Sequence, residues 1–181
     1  MVEDRRNFQA WYVDILESLY TTRAAGIAVL MISTPLLERY LRQKNGRTPE
    51  QSLDDSCMET LRSIFPTLRD AATAWNFWRI YRNGFLHQAT LSLKTHSGAR
   101  LPAGSLTHDV SAAISLNPDG SFVLHPVLFS RQVVTTIAGD FPTFVGIGTP
   151  VPPPPQVVAY VRPASGALDA SHIVLSTESR R

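Results

Sequence analysis

Arg82, Asn83 and His87 place a permanent cation, an amide and a titratable imidazole within six residues. They lie in the stretch Trp78-Arg79-Ile80-Tyr81-Arg82-Asn83-Gly84-Phe85-Leu86-His87-Gln88. Arginine keeps its charge at any physiological pH and offers phosphate oxygens a planar fork of donors. Histidine is the side chain best suited to move a proton near neutral pH. Together they suit cleavage of a phosphodiester without a metal. The imidazole takes or gives the proton, and the guanidinium stabilises charge on the phosphate as it becomes pentacoordinate. The same residues also suit a structural role. The arginine can pair with a carboxylate, and the histidine can cap the last carbonyls of a helix.

The elements that must position this stretch divide the chain into two regimes. Residues 5 to about 88 are rich in Leu, Ala, Arg and aromatic residues and poor in Gly and Pro, which predicts helices. From about residue 89 onward Gly, Pro, Ser, Thr and Val predominate, which predicts strands, turns and loops. A first helix is expected over 7–20, with Phe8, Trp11, Tyr12, Ile15, Leu16 and Leu19 as its apolar stripe. A second is expected over 21–44, with Ile27, Leu30, Met31, Leu37, Tyr40 and Leu41 as its apolar residues. Pro35 would kink it and Asn45-Gly46 would end it. A third runs from Pro49 to Phe65, with Thr48 as its cap. A fourth starts near Asp70 and carries the motif. Its aromatic residues Trp75, Phe77, Trp78 and Tyr81 suit a core or a dimer contact.

After the motif, 89–93 alternates as a strand. Segments 111–116 and 121–124 flank Asn117-Pro118-Asp119-Gly120, a hairpin turn. The segment 96–109 between these strands is expected to be loop, and a last helix is expected over 126–144. Pro150-Val151-Pro152-Pro153-Pro154-Pro155 predicts an extended linker. The expected architecture is therefore mainly α. It is a helical bundle over 1–149 with a small β-hairpin insertion near 111–124. A proline-rich extension and poorly ordered tail follow over 150–181.

Composition narrows the function classes. The chain has 181 residues and a net charge of only +2, so it lacks the overall basic field of non-specific nucleic-acid binders. Any phosphate site must be local. The single cysteine, Cys57, excludes an intramolecular disulfide and a multi-cysteine zinc site. His96, His108, His125 and His172 lack the close spacing of metal ligands, so no metal or cofactor is expected. The N-terminal charges Glu3, Asp4, Arg5 and Arg6 do not read as a signal peptide. The nine-residue apolar run 24–32 is short of the roughly 20 residues that span a bilayer. No membrane association and a cytoplasmic location are expected.

The stretch 77–88 resembles the signature of the HEPN superfamily, the higher eukaryotes and prokaryotes nucleotide-binding domains. That signature is an Arg, a polar residue that is often Asn, a short variable run, and a His, matched here at Arg82, Asn83 and His87. The likeness covers roughly residues 5–145. It implies an all-α core with the motif late in the bundle and a metal-independent endoribonuclease. Catalytic members use the RNA 2′-hydroxyl as internal nucleophile and leave a 2′,3′-cyclic phosphate, often in toxin–antitoxin, phage-defence or RNA-processing systems. It also implies a homodimer in which two motifs form a composite site. The partners implied are RNA and, in toxin systems, an antitoxin or other protein.

On that resemblance His87 is the general base or acid, Arg82 binds the scissile phosphate, and Asn83 orients the histidine or contacts RNA. Glu38 is a supporting candidate, placed to hold Arg82 or His87 by a charge-assisted bond. Some family toxins carry a modifiable Tyr two positions after the His; here Ala89 stands there, so that route of neutralisation is not expected. On a straight α-helix, at about 100° per residue, Arg82 and His87 would point about 140° apart. Gly84 would lower the cost of a bend, or the two residues would come from different protomers. Two further readings stay open: a non-catalytic HEPN-like module binding nucleotide, RNA or protein, and a structural dimerisation unit.

Overall fold

The computed structural model describes residues 1–85, 91, 103–146 and 151. Apolar spacing decides its first half. Helix α1 (Val2–Phe8) passes through a π-helical stretch, Gln9–Val13, into α2 (Asp14–Tyr20) without a break. It starts earlier than the apolar stripe predicts, because Glu3 and Asp4 favour the positive end of the helix. A short 3₁₀ turn, Arg23–Ala25, precedes α3 (Gly26–Lys44). Leu30, Leu37, Tyr40 and Leu41 of α3 are buried as expected. Ile27 and Met31 are instead exposed at 56% and 57%. They lie on the face of α3 away from the core, and Ile15 of the first stripe is also exposed. Arg23–Lys44 is long and apolar enough, by length and composition, to cross a membrane; half of its most apolar window is buried inside the fold. The apolar run judged too short from sequence is thus one part of a longer helix.

Helix α4 (Asp55–Ile64) begins six residues later than the expected start at Pro49. Asp54, not Thr48, is its cap and accepts a hydrogen bond from the Cys57 amide at 3.1 Å. Residues 48–51 form a turn instead, closed by Gln51 N–H to the Thr48 carbonyl. Asp70 caps α5 (Ala71–Trp78) in the same way, through the Thr73 amide at 2.7 Å. From Arg79 to Phe85 the helix continues with π winding.

The segment expected to be loop contains a strand. β1 (Gly104–Leu106) pairs in parallel with β3 (Phe122–Leu124), and β2 (Ile114–Leu116) pairs antiparallel with the other edge of β3. The sheet order is β1-β3-β2, so the predicted hairpin is two thirds of a three-stranded sheet. In the turn, Gly120 adopts φ +80°, and the Asp119 carboxylate accepts from the Ser121 amide at 2.9 Å. Helix α6 (Pro126–Gly139) and the short α7 (Phe141–Val145) replace the single last helix expected; the chain breaks at Asp140, ahead of Pro142.

Helix α3 is the central strut and packs along α6. Phe77 lies at the junction of helices and sheet, its ring 5.7 Å from Phe122 and 6.1 Å from Phe129. Phe77 and Trp78 are therefore core residues, and Trp75 donates its indole N–H to Asp55 at 2.9 Å. Tyr81 ties the motif helix to the sheet. Its hydroxyl is 3.0 Å from the Ser105 carbonyl, which accepts its proton, and accepts in turn from the Ser105 amide at 3.2 Å. Burial drives its phenol well above the ordinary value, so it stays protonated. Gly104 permits this approach: a Cβ there would meet Ile80 at 2.8 Å and the Tyr81 hydroxyl at 3.0 Å. Tyr81→Phe is expected to destabilise the protein by about 1–2 kcal/mol, because the Ser105 and Phe122 carbonyls lose the hydroxyl that donates to them. Urea unfolding at constant m-value would measure it.

Candidate phosphate site

Three side chains meet where α3 faces the π-helical stretch. Glu38 lies on α3 one helical turn before Arg42, so the i,i+4 spacing puts both on one face. Arg82 reaches them from the motif helix. Its Nε donates to Glu38 Oε2 at 2.9 Å and its Nη2 donates to Glu38 Oε1 at 3.0 Å. This is a side-on, two-bond pairing of guanidinium and carboxylate. Arg42 Nη2 donates to the same Oε1 at 2.7 Å. Arg42 is itself anchored by the carbonyls of Thr48 and Gln51, which accept from its Nη1. The turn that displaced the start of α4 therefore has a use: it fixes Arg42.

The cluster is largely withdrawn from water. The Glu38 and Arg42 side chains are 14% and 15% exposed, and that of Arg82 is 28% exposed. Burial alone would raise the Glu38 pKa. Hydrogen bonds and charge from Arg82 and Arg42 outweigh it and hold the carboxyl below its ordinary value. Glu38 is thus ionised at neutral pH.

A cleft of about 400 Å³ opens beside the cluster. Its walls include Arg39, Arg42, Arg47 and Arg82, with Glu38 as the one acidic residue among the lining side chains. The low overall charge of the chain thus conceals a local concentration of arginine. Each of these arginines is also held by the fold. Arg39 Nε donates to the Phe144 carbonyl at 3.2 Å and its guanidinium lies 4.8 Å from the Phe144 ring centre. Arg47 pairs with Asp54. Such pre-set guanidinium groups lose little freedom on meeting an anion.

The structure brings together two of the residues expected to carry chemistry, Arg82 and Asn83, with the supporting Glu38. Arg82 Nη1 donates to Asn83 Oδ1 at 3.1 Å. This bond ties the Asn83 amide oxygen to the guanidinium beside it. His87, Gln88 and Ala89 lie outside the described residues, as do the expected strand 89–93, His96, His172 and the proline-rich stretch beyond Val151. The straight-helix geometry assumed for the motif does not hold through Phe85. The winding there is π, with hydrogen bonds spaced five residues apart. Five is also the spacing from Arg82 to His87.

Sequence reasoning missed Arg39, Arg42 and Arg47. Their signal was the pattern Glu38-Arg39-Tyr40-Leu41-Arg42, with Arg47 just past the helix end. Among the described residues no group of three or more His, Cys, Asp or Glu is placed to hold a metal. Comparisons of the chain with protein families, with curated proteins and with solved structures find no match.

Proposed function

We propose that this chain is a metal-independent endoribonuclease of HEPN type. The observation that carries the reading is the docking of Arg82 on Glu38 at the wall of a four-arginine cleft. A motif arginine held side-on by a largely buried carboxylate has a fixed orientation, which transition-state stabilisation requires.

In the proposed reaction, His87 takes the proton of a ribose 2′-hydroxyl. The 2′-oxygen attacks the adjacent phosphorus and the bond to the 5′-oxygen breaks. The leaving oxygen receives a proton, and a 2′,3′-cyclic phosphate remains. Arg82 stabilises the charge on the phosphoryl oxygens while Glu38 and Asn83 hold it in place. Arg42 and Arg47 contact neighbouring phosphates. A homodimer would bring two such motifs together as a composite site, and a protein partner acting as antitoxin fits the toxin systems in which such enzymes occur. A cytoplasmic setting with RNA as partner belongs to the same reading.

A second reading is favoured by one observation. Glu38 engages the side-on face of Arg82, as expected of a structural ion pair. The chain would then be a non-catalytic HEPN-like module that binds nucleotide, RNA or protein through the cleft.

An RNA carrying a single 2′-deoxy nucleotide at a mapped cleavage position separates the two. The ribonuclease leaves that position intact, cuts the all-ribose control, and yields cyclic-phosphate ends. Binding of both RNAs with no cut in either supports the module instead.

A further inference from the structure

The N-terminal turn of α6 is capped by a histidine. His125 Nδ1 accepts a hydrogen bond from the Leu128 amide at 3.3 Å. That bond requires an unprotonated Nδ1, and so a neutral ring with its proton on Nε2. The His108 ring lies 5.1 Å away in an edge-to-face arrangement. Just beyond the cap, Pro126 abuts the first residue of α3: a Cβ on Gly26 would be 3.0 Å from Pro126 Cγ and 3.5 Å from His108 Nε2. The start of α6 is therefore pressed onto the start of the helix that carries Glu38 and Arg42.

Protonation changes every contact at this point. A protonated Nδ1 becomes a donor facing another donor, so the cap is lost. The new charge sits at the positive end of the helix dipole. The neighbouring His108 further disfavours a charge on His125. The countervailing group is Asp109, whose carboxylate is 3.7 Å from Arg23 in a solvent-exposed pair. Among the described residues, His108 and Asp109 are the titratable groups that act on His125, and Asp109 is itself paired with Arg23.

We propose that His125 and His108 form an acid-sensitive latch that holds the first turn of α6 against the start of α3 at neutral pH and releases it on mild acidification. Burial first, and His108 second, hold the His125 imidazole below its ordinary value of 6.5. The folded state thus favours the neutral ring. Its contribution to stability is complete above the unfolded value of 6.5 and is lost as pH falls through the lower folded value. The latch does not depend on the ribonuclease reading.

Hydrogen exchange followed by NMR tests it, with protection factors of the Leu128 and Phe129 amides corrected for intrinsic exchange. Between about pH 7.5 and about pH 5.5, the wild-type protein is expected to lose about fivefold in protection at these amides. His125→Asn keeps a capping oxygen that does not titrate, and its protection is expected to stay constant. His108→Gln removes the neighbouring imidazole and reduces the loss. Constant protection in the wild type, or an equal loss in His125→Asn, would overturn the proposal.

Discussion

Glu38→Ala is expected to lower unfolding stability by about 2–3 kcal/mol, a large share of what a single domain has. The carboxylate is the common acceptor for Arg42 and Arg82. Without it, two guanidinium groups face each other across a poorly hydrated gap with no opposite charge between them. Arg42 keeps its carbonyl acceptors and Arg82 keeps Asn83, which limits the loss. Glu38→Gln retains an acceptor oxygen but not the charge, so its cost is expected to be about half as large. The acid limb of the stability profile should change as well. A carboxyl held below its ordinary 4.5 contributes stability above that pH and loses it as the pH falls through the folded value. Urea unfolding between about pH 7 and about pH 3 should show a shallower acid limb in both variants. Equal slopes in all three proteins would mean that Glu38 is not the titrating partner.

His87→Ala is expected to lower the rate of RNA cleavage by about two to four orders of magnitude, the usual contribution of a positioned general acid or base. On the proposed reading this residue moves the proton, and Arg82 stabilises the phosphate without moving one. The two substitutions should therefore differ in pH dependence. The residual activity of Arg82→Ala should keep a dependence on an imidazole-like group, whereas that of His87→Ala should lose it. They should differ in stability too. Arg82→Ala leaves Glu38 with only Arg42 and should cost about 1–3 kcal/mol. A cleavage rate in His87→Ala within a factor of two of the wild type would remove the histidine from the mechanism.

The helices were legible in the sequence wherever apolar spacing and capping chemistry agreed. Asp70 before Ala71 and Asn45-Gly46 after Lys44 are such places. The start of α4 was not, because Thr48-Pro49 offers as good a local cap as Asp54. The tertiary contact of Arg42 with the Thr48 and Gln51 carbonyls decides between them. Strand β1 was hidden because Gly104-Ser105-Leu106 has no alternation to read. It becomes a strand by pairing with β3 under the Tyr81 hydroxyl.

At the site, Glu38 was within reach of sequence reasoning, since an acidic residue on an apolar helix invites a partner. The arginine cleft was not, because its walls come from α3, the turn after it and the motif helix. The π winding was equally hidden. Gly84 suggested a bend, whereas the structure widens the helix ladder to π winding without breaking it. Periodicity at 3.6 residues cannot foresee a change of winding that tertiary packing imposes.

The central claim is tested most directly by incubating the purified protein with single-stranded and structured RNA in EDTA, beside His87→Ala and Arg82→Ala variants shown to be folded. The account predicts cleavage by the wild type, products ending in 2′,3′-cyclic phosphate, and strong loss of cleavage in both variants. Equal cleavage by all three proteins, or cleavage by none of them with RNA bound in the cleft, would contradict it.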